Sequence, residues 1–318
     1  MSLLRAAKVS FASFVFAFAT AAGAAAPLAK SQAPGFYRMA LGDFEVTVIS
    51  DGTVDLPMAE ILKDMPRKNI DQLLARSFLG NPVDTSVNAF LVNTGSKLVL
   101  VDTGAGSFFG PTLGRLIPNL KAAGYTPEQV DEIYITHMHG DHVGGLITDG
   151  KANFPNAIVR ADQHDVDFWL SPATLEKAGK DEKGFVEAAQ KAFKPYQDAG
   201  KLKPFEGDTE LVPGVRSHAS HGHTPGHTTY IVESKGQRLV LWGDLMHVAA
   251  VQFPAPTVTI QFDSDSKAAK AQRLKAFAEA AKQKDWIGAA HLPFPGIGHI
   301  RAEGKGYAYI PVNYAGPR

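Results

Sequence analysis

Apolar positions in this chain switch repeatedly between a period of two and a period of three to four. Phe44-Glu45-Val46-Thr47-Val48-Ile49-Ser50 alternates as a half-buried strand does, and Asp51-Gly52 predicts a turn after it. Residues 66–79 read as a short helix. Strands are predicted over 87–93 and 97–102, joined by a Thr94-Gly95-Ser96 turn, with a helix from Pro111 or Thr112 to Ala123. Residues 131–136 are apolar and β-branched, a buried strand ending at His137. Helices are expected over 162–170 and 184–199, and Trp286-Ile287-Gly288-Ala289-Ala290 is a further apolar segment. In the helix predicted over 266–284, Ala271, Leu274, Phe277, Ala278 and Ala281 share one stripe, which suits a helix covering a sheet face.

The hairpin pattern recurs. Gly-Ser-Lys-Leu-Val-Leu-Val-Asp at 95–102 resembles Gly-Gln-Arg-Leu-Val-Leu-Trp-Gly-Asp at 236–244, so two halves of related build, each delivering an Asp from a strand end, stand about level with chance likeness between amphipathic hairpins. Strands interleaved with helices predict stacked α/β layers. No linker divides residues 27–318, which are expected to form one domain.

Composition narrows the partners. The 318 residues are 45% hydrophobic and 20% charged, with 32 Lys plus Arg against 32 Asp plus Glu, so no global field favours nucleic acid or an acidic membrane. A small, roughly neutral molecule is the expected partner. Residues 1–26, with Arg5 and Lys8 ahead of an apolar run and then small residues, have the layout of a signal peptide, which predicts export to the periplasm or medium without stable membrane insertion. Cysteine is absent, so any metal chemistry rests on His, Asp and Glu.

Those residues are concentrated. His137-Met138-His139-Gly140-Asp141-His142 packs four metal-competent side chains into six positions at a strand end, a density that can serve two divalent cations, zinc first. A second cluster, His218, His221, His223 and His227, surrounds Gly222-His223-Thr224-Pro225-Gly226-His227, again beside a strand. Asp244 closes a strand, and His291 follows an apolar one.

His-x-His-x-Asp-His, then Gly-His-Thr-Pro-Gly-His, then Gly-Asp, then a late His resembles the metallo-β-lactamase superfamily of binuclear hydrolases across nearly the whole of residues 27–318. The resemblance implies an αββα sandwich, two mixed sheets flanked by helices. It implies that His137, His139 and His223 hold one cation, that Asp141, His142 and His291 hold the other, and that Asp244 bridges them. His299 is the rival of His291, His227 a supporting residue, Asp102 a brace for the metal loop, and His164, His218 and His221 bystanders. Such a centre implies attack by a metal-bridging hydroxide on an ester carbonyl, with no Ser or Cys nucleophile. A binuclear redox centre would want a carboxylate in place of His139.

Phe36 to Phe44, Phe109 to Arg115 and Phe294 to Ile300 further resemble the branch of methyl parathion hydrolases and lactonases such as dihydrocoumarin hydrolases. That likeness implies a substrate pocket of Leu62, Phe109, Trp169, Phe185, His247, Ile260 and Phe262, with His247 and Asp244 at the chemistry. Leu62 stands where methyl parathion hydrolase carries Arg, and His247 and Phe262 stand where it carries Leu. Bulk near the metals favours planar lactones or aryl esters over tetrahedral phosphotriesters; phosphotriester hydrolysis as the main activity is the alternative. A β-lactamase, a nuclease and a non-catalytic metal-binding protein are less well matched, and the resemblance leaves a homodimer open.

Overall fold

A β-bulge, where the sequence predicts a turn, sets the geometry of the first half. In the computed structural model, which describes residues 26–316, the strand that begins at Phe44 does not stop at Asp51 but runs on to Leu56. The pairing register shifts between Ser50 and Gly52, where φ is +123° and a Cβ would stand 2.1 Å from the Thr112 carbonyl oxygen. Only glycine fits there, and the bulge bends the strand without ending it. The predicted signal peptide lies, apart from Ala26, outside the described residues.

The chain from Pro34 onward clusters as one compact unit built on two sheets. The first contains β1 (Phe36–Leu41), β2 (Phe44–Leu56), β3 (Val83–Asn93), β4 (Leu98–Val101), β5 (Glu132–Tyr134) and β6 (Ile158–Arg160), side by side in that order. The second contains β7 (Glu210–Val212), β8 (Val215–Ala219), β9 (Thr228–Ser234), β10 (Gln237–Leu241), β11 (Trp286–Gly288), β12 (Ile297–Glu303) and β13 (Gly306–Pro311), also in order. Helices α1 (Arg67–Arg76), α2 (Leu116–Ala122), α3 (Gln163–Trp169), α4 (Lys180–Asp198) and α5 (Ser266–Gln283) are the longer ones. Both sheets are mixed: β3–β4 and β9–β10 are antiparallel, while β4–β5 and β10–β11 are parallel. The likeness between residues 95–102 and 236–244 therefore corresponds to a shared local topology.

Three apolar layers hold the sandwich. Val48, Phe90, Val99 and Val101 of the first sheet meet Tyr230, Val232, Leu239 and Leu241 of the second. Leu91, Leu100 and Ile133 pack outward against Leu116 and Leu120 of α2 and Ala189 and Phe193 of α4. On the other side Trp242, Ile287 and Ile300 pack against Phe277 and Ala280 of α5. This is the expected α/β/β/α architecture.

Two predicted helices differ. α2 starts at Leu116, not 111 or 112, because Gly114 and Leu116 give their N–H groups to Asp51. On α5 the buried face is Ala269, Arg273, Phe277 and Ala280, whereas Leu274 is exposed. Hydrophobicity alone misplaces that stripe because a buried arginine occupies it. Its guanidinium donates to the carbonyls of Pro256, Leu245 and Val258 at 2.8, 3.1 and 2.6 Å, so the charge is hydrogen-bonded throughout.

Asp51, turned inward by the bulge and fully buried, accepts the N–H groups of Ala105, Gly114 and Leu116 at 2.9, 3.0 and 2.9 Å. It thereby fixes the segment that follows β4. Replacing Asp51 with Ala strands three buried donors at about 1–3 kcal/mol each, so a loss of roughly 3 kcal/mol or more is expected. Urea denaturation checks this, and an unchanged midpoint would contradict it.

Candidate metal centre

Four strand ends deliver one cluster. β5 ends at Tyr134 and runs through Thr136 into His137, Met138 and His139, and the helical turn Gly140–Val143 adds Asp141 and His142. The connection from β8 to β9 supplies His223 and His227. β10 leads to Asp244, and β11 to His291. The structure brings all seven predicted ligands together, and every one of them except Asp141 is at least nine-tenths buried.

The donors fall into two groups that share Asp244. In the first, His139 Nδ1 lies 3.1 Å from both His137 Nε2 and His223 Nε2. Asp244 Oδ2 completes it at 3.7 Å from His137 Nε2 and 3.4 Å from His223 Nε2. In the second, Asp244 Oδ1 is 3.2 Å from both His142 Nε2 and His291 Nε2. Asp141 Oδ2 stands 3.6 and 3.4 Å from the same two nitrogens. Donors bound tetrahedrally to one cation at 2.0–2.1 Å are about 3.3 Å apart, so both groups have the spacing of a coordination shell.

Protonation supports this. His142 Nδ1 faces Asp102 at 2.8 Å, His223 Nδ1 faces Asp263 at 2.8 Å, and His291 Nδ1 faces the Ser86 carbonyl at 2.9 Å. Each partner can only accept, so each Nδ1 carries the proton and each Nε2 lone pair points inward. His137 follows the same logic: Thr136 Oγ1 donates to Asp102 and so accepts from His137 Nδ1. The inner nitrogens thus converge on common points, where lone pairs would face a cation, and buried His142 Nε2 and Asp244 Oδ1 have no hydrogen-bond partner. The residues fit two divalent cations.

Burial opposes the charged form of all five imidazoles. It prevails at His137 and at His139, which is lowered to about 3. At His142 the charges of Asp244, Asp141 and Asp102 outweigh it and raise the ring well above the usual imidazole range, and at His223 and His291 hydrogen bonds and charge from Asp244, with Asp263 and Asp141 respectively, raise them to about 9 and about 10. Without cations the carboxylates would draw protons into the cluster; cations take the place of those protons.

His227 is buried beside the cluster but does not join it. Its Nε2 accepts the Asp244 N–H at 3.0 Å and its Nδ1 faces Ser220 Oγ at 2.8 Å, so it positions Asp244. His299 is elsewhere, against Trp286 and the Asp285 carbonyl. Asp102 accepts the Thr136 N–H and hydroxyl as well as facing His142. Sequence reasoning missed Asp165, whose carboxylate takes the N–H groups of Met138 and Gly226 and the Thr224 hydroxyl, tying the two histidine loops together. Burial pushes it up to about 6 against those three donors. It missed Asp263, Ser86 and Ser220 as well, which have no motif and act from distant parts of the chain.

Beside His139 opens a cavity of about 400 Å³ lined by Trp169, Phe185, Phe262, Gln261 and Asp263 among others. Trp169 sits edge-on to the His139 ring at 5.2 Å, and Phe185 lies 5.6 Å from it. The other predicted pocket residues do not line this cavity. Leu62 and Ile260 pair with each other in a short ladder and are buried in a separate apolar cluster. Phe109 is half-exposed on a neighbouring groove with Phe185. His247 is buried in the metal cluster itself, its Nε2 3.0 Å from Asp244 Oδ2.

Residues 82–291 match the metallo-beta-lactamase superfamily. The chain is similar to the N-acyl homoserine lactonase of Bacillus cereus, 28% identical over 215 residues that span 62% of this chain and 78% of that one. In three dimensions it is similar to the hydrolase AbOPH of the beta lactamase superfamily, at 42% identity and TM-score 0.86, over 90% of this chain and 100% of the other. It is also similar to AidC, a dizinc quorum-quenching lactonase in complex with a product, at 28% identity and TM-score 0.82, over 89% of this chain and 99% of the other.

Replacing Asp263 with Ala removes the acceptor that orients His223 while leaving all seven inward-facing donors. Cation affinity should fall about 10–100-fold with the fold retained. Competition with a chromophoric chelator measures this, and wild-type affinity in the variant would refute the positioning role.

Proposed function

The chain belongs to the metallo-β-lactamase superfamily, and from that membership we propose that it is an exported binuclear zinc hydrolase of lactones and aryl esters. Phosphotriester hydrolysis would be a weaker side activity. The observation that carries this reading is the aromatic cavity opening directly onto His139. Lactonase relatives support the lactone class, and the resemblance of residues 36–44, 109–115 and 294–300 to dihydrocoumarin hydrolases favours an aromatic lactone within it.

His137, His139 and His223 would hold one cation, Asp141, His142 and His291 the other, with one Asp244 oxygen given to each. Two cations so held supply hydroxide at neutral pH and Lewis acidity towards the carbonyl oxygen. The residues supply position. Trp169, Phe185 and Phe262 offer flat apolar walls to an aromatic lactone or an acyl chain. Asp244, its backbone N–H held by His227, keeps a fixed carboxylate between the two donor groups. His247 lies within the donor cluster, stacked on His291 at 5.4 Å and 3.0 Å from Asp244, where its bulk would disfavour a tetrahedral dialkyl phosphate more than a planar ester. A phenolate, whose conjugate acid has a pKa of about 10, leaves without a protein acid.

Steady-state hydrolysis of dihydrocoumarin, N-hexanoyl homoserine lactone and methyl parathion by zinc-loaded and chelated protein tests the proposal. Expected is chelator-sensitive turnover with kcat/KM for a lactone at least about tenfold above that for methyl parathion. A preference for methyl parathion would overturn the substrate reading, and turnover that survives chelation would overturn the mechanism. His247→Leu should raise the ratio of phosphotriester to lactone rates; an unchanged or lower ratio would show that His247 does not shape the pocket.

A further inference from the structure

A second assembly of metal-competent side chains stands apart from the seven proposed ligands. Asp162, His164 and His221 each offer a donor atom, and these atoms lie within 4.8 Å of one another. His164 Nδ1 is 2.8 Å from Asp162 Oδ1, a hydrogen bond whose proton a cation would have to displace, and His221 Nε2 is 3.5 Å from Asp162 Oδ2. Donors on one cation at 2.0–2.1 Å are about 2.9 Å apart at a right angle and about 3.3 Å apart at a tetrahedral one, so these separations bracket a coordination shell.

The surroundings point the same way. Asp162 is fully buried at the N-cap of α3, where its carboxylate accepts the backbone N–H groups of His164 and Gly207 at 2.8 and 3.3 Å, meets the His164 ring at 2.8 Å and keeps a lone pair free for a further partner. His221 Nε2 is buried without a hydrogen-bond partner, although it faces that carboxylate. The two imidazole rings are 4.8 Å apart and inclined at 54°, so they do not stack face to face. His164 is largely exposed and His221 partly so, which gives a cation a path in and leaves a position for water.

The geometry points to a third divalent-cation site formed by Asp162, His164 and His221, with a two-nitrogen, one-oxygen set that suits zinc. His221 lies two residues before His223, so an ion there ties the segment leading to His223 to the start of α3. The site would set the rigidity of that loop rather than take part in hydrolysis.

The test is zinc stoichiometry of the whole protein, by equilibrium dialysis and elemental analysis, for wild type, His164→Ala and His221→Asn. His164 lies outside the hydrolytic centre, and its ring is largely exposed, so the first variant is expected to keep the fold. Each variant is expected to bind one equivalent fewer than wild type, whatever the main cluster holds, with His164→Ala keeping lactonase activity. Zinc should raise the thermal midpoint of wild type further than that of His164→Ala. Equal stoichiometry in wild type and His164→Ala would overturn the site, as would loss of zinc from the main cluster in that variant.

Discussion

Five buried imidazoles crowd around two carboxylates here, and each imidazole can present a lone pair inward only if its other nitrogen is held in the right state. That requirement organises the centre. Asp102, Asp263 and the Ser86 carbonyl take the outward N–H groups of His142, His223 and His291, and Thr136 takes that of His137. These acceptors come from the loop after β4, the segment after the Leu62/Ile260 ladder, β3 and the loop after β5. The donors therefore converge only within the assembled sandwich. Asp51 and Asp165 extend the same logic outward, each holding loop N–H groups that would otherwise be buried unpaired.

The two sheets solve the placement problem in the same way. In each, an antiparallel hairpin ends near an aspartate, Asp102 or Asp244, and its second strand pairs in parallel with a strand leading to a histidine, His137 or His291. One aspartate braces from outside and the other lies between the donor groups. The difference lies in which way each carboxylate faces: Asp102 reaches back to Thr136 and His142 Nδ1, while Asp244 is turned inward with its N–H held by His227.

Much of this was legible in the chain because ligands lie in short motifs at strand ends. The four-residue density of 137–142 pointed to the site, the resemblance carried by the ordered motifs implied the seven residues that the structure brings together, and apolar periodicity marked most strands and helices. What was not legible depends on groups far apart in sequence. The Asp51-Gly52 bulge reads locally as a turn, and only the approach of Thr112 distinguishes the two. Arg273 reads as solvent-facing because its three carbonyl partners lie on other segments. The cavity was half legible: Trp169, Phe185 and Phe262 line it, whereas Leu62 and Ile260 satisfy each other in the core and Phe109 faces the next groove.

The central claim is that two cations sit on either side of Asp244. Anomalous diffraction at the zinc edge, from crystals of the protein grown with zinc, tests it most directly. The account predicts one peak bonded to His137 Nε2, His139 Nδ1 and His223 Nε2, a second bonded to Asp141, His142 Nε2 and His291 Nε2, and the Asp244 carboxylate between them. A single peak at the cluster, or none, would contradict it.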